Sequence, residues 1–433
     1  MQSLAHTLAE PLELPLNYVP ARKQVKRQPL ADELANFREF GQATRKLATA
    51  FVDAHGKSWE VPTYVNEFWT ARQRQAHSLH EISYRACFKP QLPRFFIERL
   101  TETGEVVYDP FMGRGTTPLE AALLGRIPMG NDVNPLSTVL TKPRLNPPRL
   151  DKIEKRLKEI DLNDPADMPQ DLLVFYHPET LRAISSLKKY LMKRRKTYGL
   201  DSVDEWIELI ALNRLTGHSP GFFSVYTMPP NQAVSAKSQL KINEKRKQTP
   251  PKRDVGKIIL KKSRILLKDL DVAGRATLMS ISNKAKLLTH SADSTPEIKS
   301  NSVGLVVTSP PFLDIVQYAD DNWLRCWFLG IDPKGVKLTV PKKLEQWKAE
   351  MTKVFRELYR VLKPGGHVAF EVGEVHGGKT KLEEAVLPCG LEAGLEPMLV
   401  LINDQKFTKT ANCWGVDNNY KGTNTNRIVA FQK

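Results

Sequence analysis

From Glu105 to Asp132 the chain reads as strand, glycine-rich turn, helix and strand, and this unit constrains the rest of the fold more than any other stretch. The apolar run ending at Tyr108 passes directly into Asp109-Pro110-Phe111-Met112-Gly113-Arg114-Gly115-Thr116-Thr117. The helical pattern TPLEAALLG follows, and a second strand ends at Gly130-Asn131-Asp132. Such a unit opens a doubly wound α/β sheet, which binds ligands beyond the carboxyl ends of its strands. Gly113 and Gly115 let the backbone pass close to a ligand without a Cβ clash. The loop lacks the Gly-Lys-Ser/Thr of a nucleoside-triphosphate cradle. Taken alone, it is equally well any tight strand-to-helix turn.

Around this unit the chain divides into three parts. Residues 1–63 form an N-terminal extension with a basic stretch at Arg22–Arg27 and a helical-looking segment, LADELANFREFGQATRKLATAFVDA. Residues 64–135 and 285–433 supply the catalytic sheet, with strands expected at AKLLTHSAD, SVGLVVTSPPF and HVAFEVGEV and a terminal hairpin at the end. Residues 136–284 read as a charged, mostly helical insertion. The chain carries 64 Lys and Arg against 48 Asp and Glu, a formal charge of +16 that suits a polyanionic partner. Cys87, Cys326, Cys389 and Cys413 form no Cys-x-x-Cys pair, which speaks against a zinc ribbon or a disulfide framework. No run reaches the length of a membrane span and no secretory leader is visible, so a cytoplasmic protein without a metal or a membrane partner is expected.

Three carboxylates fall at strand ends. Asp109 is placed to face a cationic, amino-bearing ligand, Asp132 to accept from ribose hydroxyls, and Asp293, in HSAD, to accept from an adenine amino group. The stretch Asp109-Pro110-Phe111-x-Gly113-x-Gly115-Thr116-Thr117 resembles the cofactor motif of the amino-group DNA methyltransferases. The preceding CFKPQLPRFFIERL resembles the segment that closes over the methionine moiety in that family. The family usually carries Ser where this chain has Arg114. The resemblance implies an α/β fold, a doubly wound Rossmann-like S-adenosylmethionine-dependent methyltransferase sheet. It also implies that Asp109, Pro110, Phe111, Gly113, Gly115, Thr116, Thr117, Asp132 and Asp293 hold S-adenosyl-L-methionine.

Ser309-Pro310-Pro311-Phe312 follows the apolar strand VGLVV. The two prolines stiffen the segment and present carbonyls rather than N–H groups. An exocyclic amino group is a poor nucleophile because its lone pair is delocalised into the ring. Acceptors at its N–H bonds, the Ser309 hydroxyl and the Pro310 carbonyl, would draw it toward tetrahedral geometry, and Phe312 offers a face for a flipped-out base. This tetrapeptide resembles the family's catalytic motif. Members with Thr-Ser-Pro-Pro are typically N4-cytosine enzymes, whereas N6-adenine enzymes more often begin with Asp or Asn. The reverse motif order is commoner among N4-cytosine enzymes, so adenine N6 stays open as the target, as does an RNA amino group. A non-enzymatic DNA-binding scaffold is disfavoured by two intact motifs. Pro388-Cys389, the dipeptide a carbon-5 mechanism would need, lies past the expected strand.

The insertion is the natural candidate for target recognition on double-stranded DNA. Arg214, His218 and Tyr226 in NRLTGHSPGFFSVYT are candidate contacts, each equally readable as an ordinary core or satisfied polar residue. The run Lys245–Lys262 reads as a phosphate-contacting surface or a solvated face. A second DNA edge is expected in FTKTANCWGVDNNYKGTNTNR, with Lys409, Asn424 and Arg427 as contacts. WTARQRQAHSLHEISYR is a third candidate, equally explained by a helix with an Arg-rich face. A restriction endonuclease would be a partner in function only.

Overall fold

A computed structural model describes residues 29–70, 76–84, 87–164, 167–227, 233–311, 318–332, 341, 343–375, 380–404 and 425–433. The described residues begin with helix α1 (Leu30–Ala35), strands β1 (Arg45–Val52) and β2 (Ser58–Asn66) and helix α2 (Gln91–Leu100). Strand β3 (Val106–Asp109), helix α3 (Thr116–Leu123) and strand β4 (Ile127–Asn131) form the predicted unit. Helices α4 (Pro135–Leu145), α5 (Leu150–Glu159), α6 (Pro178–Thr197), α7 (Ser202–Arg214), α8 (Ala236–Arg246), α9 (Val255–Leu266) and α10 (Val272–Ser282) follow. The sheet resumes with β5 (Lys286–Leu288) and β6 (Val303–Thr308), then helices α11 (Tyr318–Leu329) and α12 (Leu344–Val361). Strands β7 (Leu362–Val372), β8 (Glu374–Val375) and β9 (Thr380–Lys381), helix α13 (Leu382–Glu392) and the hairpin β10 (Glu396–Asp404) and β11 (Thr425–Gln432) complete it.

The main sheet runs β1-β2-β10-β11-β7-β6-β3-β4-β5. From β3 the chain winds outward through β4 to β5, then returns to the other side of β3 at β6 and proceeds to β7, all in parallel. The direction of winding therefore reverses between β3 and β6, which is where doubly wound sheets bind ligands. Alternating side chains serve two faces. Tyr108 and Val306 pack with Phe355, Leu358 and Val386 of α12 and α13. Val107 and Val307 pack with Phe95 and Phe96 of α2 on the other face. This is the expected Rossmann-like α/β fold. Among the described residues, no helix is long and apolar enough to cross a membrane.

One expectation needs correcting. The segment 30–54 is not one helix: only Leu30–Ala35 is helical, Gly41 takes a φ of +79°, and RKLATAFV forms β1. The turn that follows fixes the hairpin, because Asp53 Oδ1 accepts from the His55 and Lys57 N–H groups at 2.8 and 3.0 Å. Pairing with β2, and of β2 with β10, then overrides the helical reading and draws residues before 64 into the catalytic sheet. The 136–284 helices, in turn, have no core of their own. Leu187, Ile207 and Ile259 share one apolar cluster with Leu119 and Ala122 of α3 and with Leu79.

Candidate active site

The loop between β3 and α3 is held from several sides. Met112 N–H donates to the Asn131 carbonyl at 2.9 Å, and Thr117 Oγ1 donates to the Val307 carbonyl of β6 at 3.0 Å. Gly113 and Gly115 both adopt positive φ, +50° and +74°. A Cβ on Gly115 would fall inside the Thr141 side chain of α4, so this glycine is required by helix packing as much as by a ligand. A Cβ on Gly113 would meet only the Tyr84 ring, at 3.5 Å. Arg114, at the family's usual serine position, turns back to the segment before α2. Its guanidinium donates to the Ile82 and His80 carbonyls at 3.0 and 3.4 Å. The fully buried Arg144 holds the loop from behind. It donates to the Arg114 carbonyl, to Leu140 O at 2.8 Å and to Leu79 O at 3.3 Å. Burial, then Arg114, lowers its pKa to about 9.

The strand-end acids behave as groups awaiting a cation. Asp109 is buried, and its Oδ1 accepts from Thr308 Oγ1 at 2.6 Å and Phe111 N–H at 3.1 Å. Loss of solvent raises its pKa to about 7 against those hydrogen bonds, with nearby Asp132 adding to the rise. Asp132 accepts from Gly113 N–H and Asn134 N–H, both at 2.9 Å, and is likewise raised by burial. Among the described residues, no Lys or Arg forms an ion pair with either carboxylate. Two desolvated carboxyls without a counter-cation suit a ligand carrying a sulfonium and an ammonium group. Asp293 is half-buried and accepts from its neighbour Ser291. Pro110, Phe111 and Thr116 lie in the same loop. Asn131, which the sequence reading passed over, ties the three loops together. Its side chain donates to Pro110 O and His290 O and accepts from His290 N–H.

The Ser309-Pro310-Pro311 segment leaves β6 beside this loop, and the Thr308–Asp109 bond joins the two strand ends at the reversal point. Trp347 Nε1 of α12 donates to the Pro311 carbonyl at 3.0 Å. Phe312 lies outside the described residues. In the parallel register Thr308 pairs with Phe370, which sets Ser309 beside Glu371 of β7. Glu371 hydrogen-bonds the Ser309 side chain and accepts from Asn426 Nδ2 at 2.6 Å, and burial raises its pKa. Sequence reasoning missed Glu371. The available signal was a single acid inside the apolar strand HVAFEV. Cys389 is buried in α13 and donates to the Ala385 carbonyl at 3.2 Å.

The expected DNA contacts are scattered. NRLTGHSPGFFSVYT does not project outward: Phe222, Phe223, Val225 and Thr227 are buried, and Phe223 N–H donates to the Arg214 carbonyl. Arg214 lies over the Phe222 ring at 3.9 Å, His218 neighbours that ring, and Tyr226 carries the Arg246 guanidinium on its face at 3.8 Å. Arg427 of β11 is not a free DNA-facing cation but is ion-paired with the buried Glu383 of α13. Lys409 and Asn424 lie outside the described residues.

A family model described as DNA methylase, N6_N4_Mtase, matches residues 19–136. The chain is 24% identical over 315 residues to the Type II methyltransferase M.BsoBI of Geobacillus stearothermophilus, covering 64% of this chain and 58% of that protein. It is 30% identical over 101 residues to the Type II methyltransferase M.MjaII of Methanocaldococcus jannaschii, covering 23% and 18%. The corresponding match to the Type II methyltransferase M.MvaI of Kocuria varians is 26% over 148 residues, covering 34% and 29%. The chain thus spans a little over half of the first of these relatives and less than a third of the other two. The cofactor loop, the strand-end acids and the Ser-Pro-Pro segment thus lie in a chain that is similar to the amino-group (N6/N4) DNA methyltransferases, and S-adenosyl-L-methionine is the cofactor that its methyltransferase fold takes.

Proposed function

We propose that this chain methylates the N4 amino group of cytosine within a specific sequence of duplex DNA, as the modification partner of a restriction system. The observation that carries this reading is the serine hydroxyl of a Ser-Pro-Pro segment lying at the winding reversal, next to the acidic cofactor loop. When bound, S-adenosyl-L-methionine supplies an electrophilic methyl group on a sulfonium. Asp109 and Asp132, with the loop Asp109–Thr117, would hold and orient that donor, Asp293 would accept from its adenine amino group, and Asn131 keeps the neighbouring strand-end loops in register.

A flipped-out cytosine presents two N–H donors to Ser309 Oγ and the Pro310 carbonyl, while the Pro311 carbonyl is already engaged by Trp347. These acceptors would localise the nitrogen lone pair and direct it toward the methyl donor held by the Asp109–Thr117 loop, so that preorganisation carries the rate. As the methyl is transferred, the nitrogen loses a proton to Ser309 Oγ while that hydroxyl passes its own to the Glu371 carboxylate. Burial makes Glu371 the stronger base for this step. Glu371 acts through Ser309 and is a positioning residue.

The Type II methyltransferases named above motivate the restriction-system context, and Ser rather than Asp or Asn at position 309 motivates cytosine. The test is transfer of tritiated methyl from S-adenosylmethionine to mixed genomic DNA, followed by nucleoside mass spectrometry. N4-methylcytosine is the expected product. N6-methyladenine would keep the mechanism and replace the base, and transfer to RNA alone would overturn the DNA substrate.

A further inference from the structure

Residues far apart in sequence converge on a basic pocket in the inserted helices. The pocket, about 550 Å³, lies between the end of α7, the turn at Pro220-Gly221 and helix α9. Arg214, Lys252, Arg253, Lys257, Lys261 and Lys262 line it, against a single lining carboxylate, Asp254. The sequence forces the convergence. Pro250-Pro251 ends the run after α8, and the Asp254 side chain caps α9 by accepting from Lys257 N–H at 2.9 Å. Val255, Ile259 and Leu266 bury one stripe of α9, which leaves Lys257 and Lys261 four residues apart on one face.

Two cations at the base of the pocket are held away from water with little compensation. Lys262 is 8% exposed, and its nearest carboxylate, Glu81, stands 3.9 Å away. Arg214 is half-buried; it rests on the Phe222 ring and its Nε donates to the Asn213 carbonyl at 2.8 Å, and among the described residues it makes no ion pair with a carboxylate. Arg253 Nε is buried without an acceptor. Desolvation lowers Lys262 to about 8 and Arg214 to about 10. A buried lysine, a half-buried arginine and an orphan donor lining one cavity are a poor arrangement for stability alone and a suitable one for an anion.

The pocket also sits close to the chemistry. Asn213, next to Arg214, accepts from Ser83 N–H at 2.7 Å, and Tyr84 lies against Gly113 of the cofactor loop. We propose that this pocket seats a backbone phosphate of the DNA substrate, fixing the duplex against the inserted helices while the target base enters the Ser-Pro-Pro site. The inference rests on the DNA reading above. The phosphate contact carries no sequence information; it sets where along the duplex the site falls.

The test is the salt dependence of binding to a fluorescein-labelled duplex, measured by anisotropy for the wild-type chain and for Lys257→Gln/Lys261→Gln. Both positions are exposed, so folding is retained, and equal affinity for S-adenosylmethionine checks this. A phosphate held by the pocket predicts a salt slope shallower by about 1 in log–log terms and affinity about tenfold weaker. Duplex should also protect Lys262 from acetylation by sulfosuccinimidyl acetate, a readout that needs no variant. An unchanged slope together with unprotected Lys262 overturns the proposal, as does a wild-type chain that binds no duplex. Pocket-dependent binding without methyl transfer would sustain the pocket and sink the proposed activity. Methyl transfer to DNA with unaltered binding by the double variant and unprotected Lys262 would do the reverse.

Discussion

The carboxyl edge of the sheet and the pocket of the inserted helices use the same physical device with opposite sign. At the sheet edge, burial raises Asp109 and Asp132, leaving carboxyls that gain from a cation. In the insertion, burial lowers Arg214 and Lys262, leaving cations that gain from an anion. Each site is electrostatically unfinished in a different way, and under the proposed activity the ligands they suit, a sulfonium donor and a backbone phosphate, belong to the two molecules that the reaction brings together. The edges differ in how they are built. The sheet edge is locked by backbone and side-chain hydrogen bonds among β3, β4 and β6, whereas the pocket is assembled from a helix end, a turn and a helix face.

The largest effect should come from the residue that joins the two regions. Gly115→Ala places a methyl group into Thr141 of α4 at a positive φ, so we expect a loss of about 3 kcal/mol or more in urea unfolding and no cofactor binding. A stable, cofactor-binding variant would show that loop and insertion are independent. Next in size, Glu371→Gln should lower kcat about 100-fold while leaving S-adenosylmethionine affinity within twofold. The acid limb of its kcat profile should disappear, which a merely structural loss would not produce.

A third test separates the two signs of desolvation by pH. Asp109 has a folded pKa of about 7, above its unfolded value, so it favours the folded state most when protonated. Its contribution is therefore complete below pH 4 and lost as pH rises through 7. The Tm of the ligand-free chain should fall across that window, less steeply in Asp109→Asn. Saturating S-adenosylmethionine should flatten the fall, because a bound cation favours the ionised form. The smallest effect is expected for Lys155→Gln, an exposed residue of α5 that does not line the pocket. It should leave both the duplex salt slope and cofactor affinity at wild-type values, and a slope change there would spread the anion site over the whole insertion.

The sheet edge was legible in the sequence because its chemistry is local. The Gly-rich turn, the acids at strand ends and the Ser-Pro-Pro run are each contiguous, and their order along the chain maps onto the parallel strands. What stayed hidden depends on register and on distant packing. Glu371 meets Ser309 only because β6 and β7 pair with Thr308 opposite Phe370. Arg427 has the charge of a DNA contact, yet strand pairing delivers it to Glu383. The alternation in RKLATAFV was masked by flanking helix formers, and only the partner strands decide it. The pocket combined two segments that were each noticed, Arg214 and the Lys-rich run, but no local pattern indicated that they meet.

The inserted helices leave the sheet after β4 and return at β5, and those strands are hydrogen-bonded neighbours, with Asn131 opposite Leu288. A long excursion of chain therefore begins and ends at almost one point, so its length can change without re-threading a single strand. Because the excursion shares its apolar cluster with Leu119 and Ala122, a transplanted version would have to carry matching side chains for α3. The outer helices can thus vary without disturbing the sheet, while the helices touching α3 can change only in concert with it.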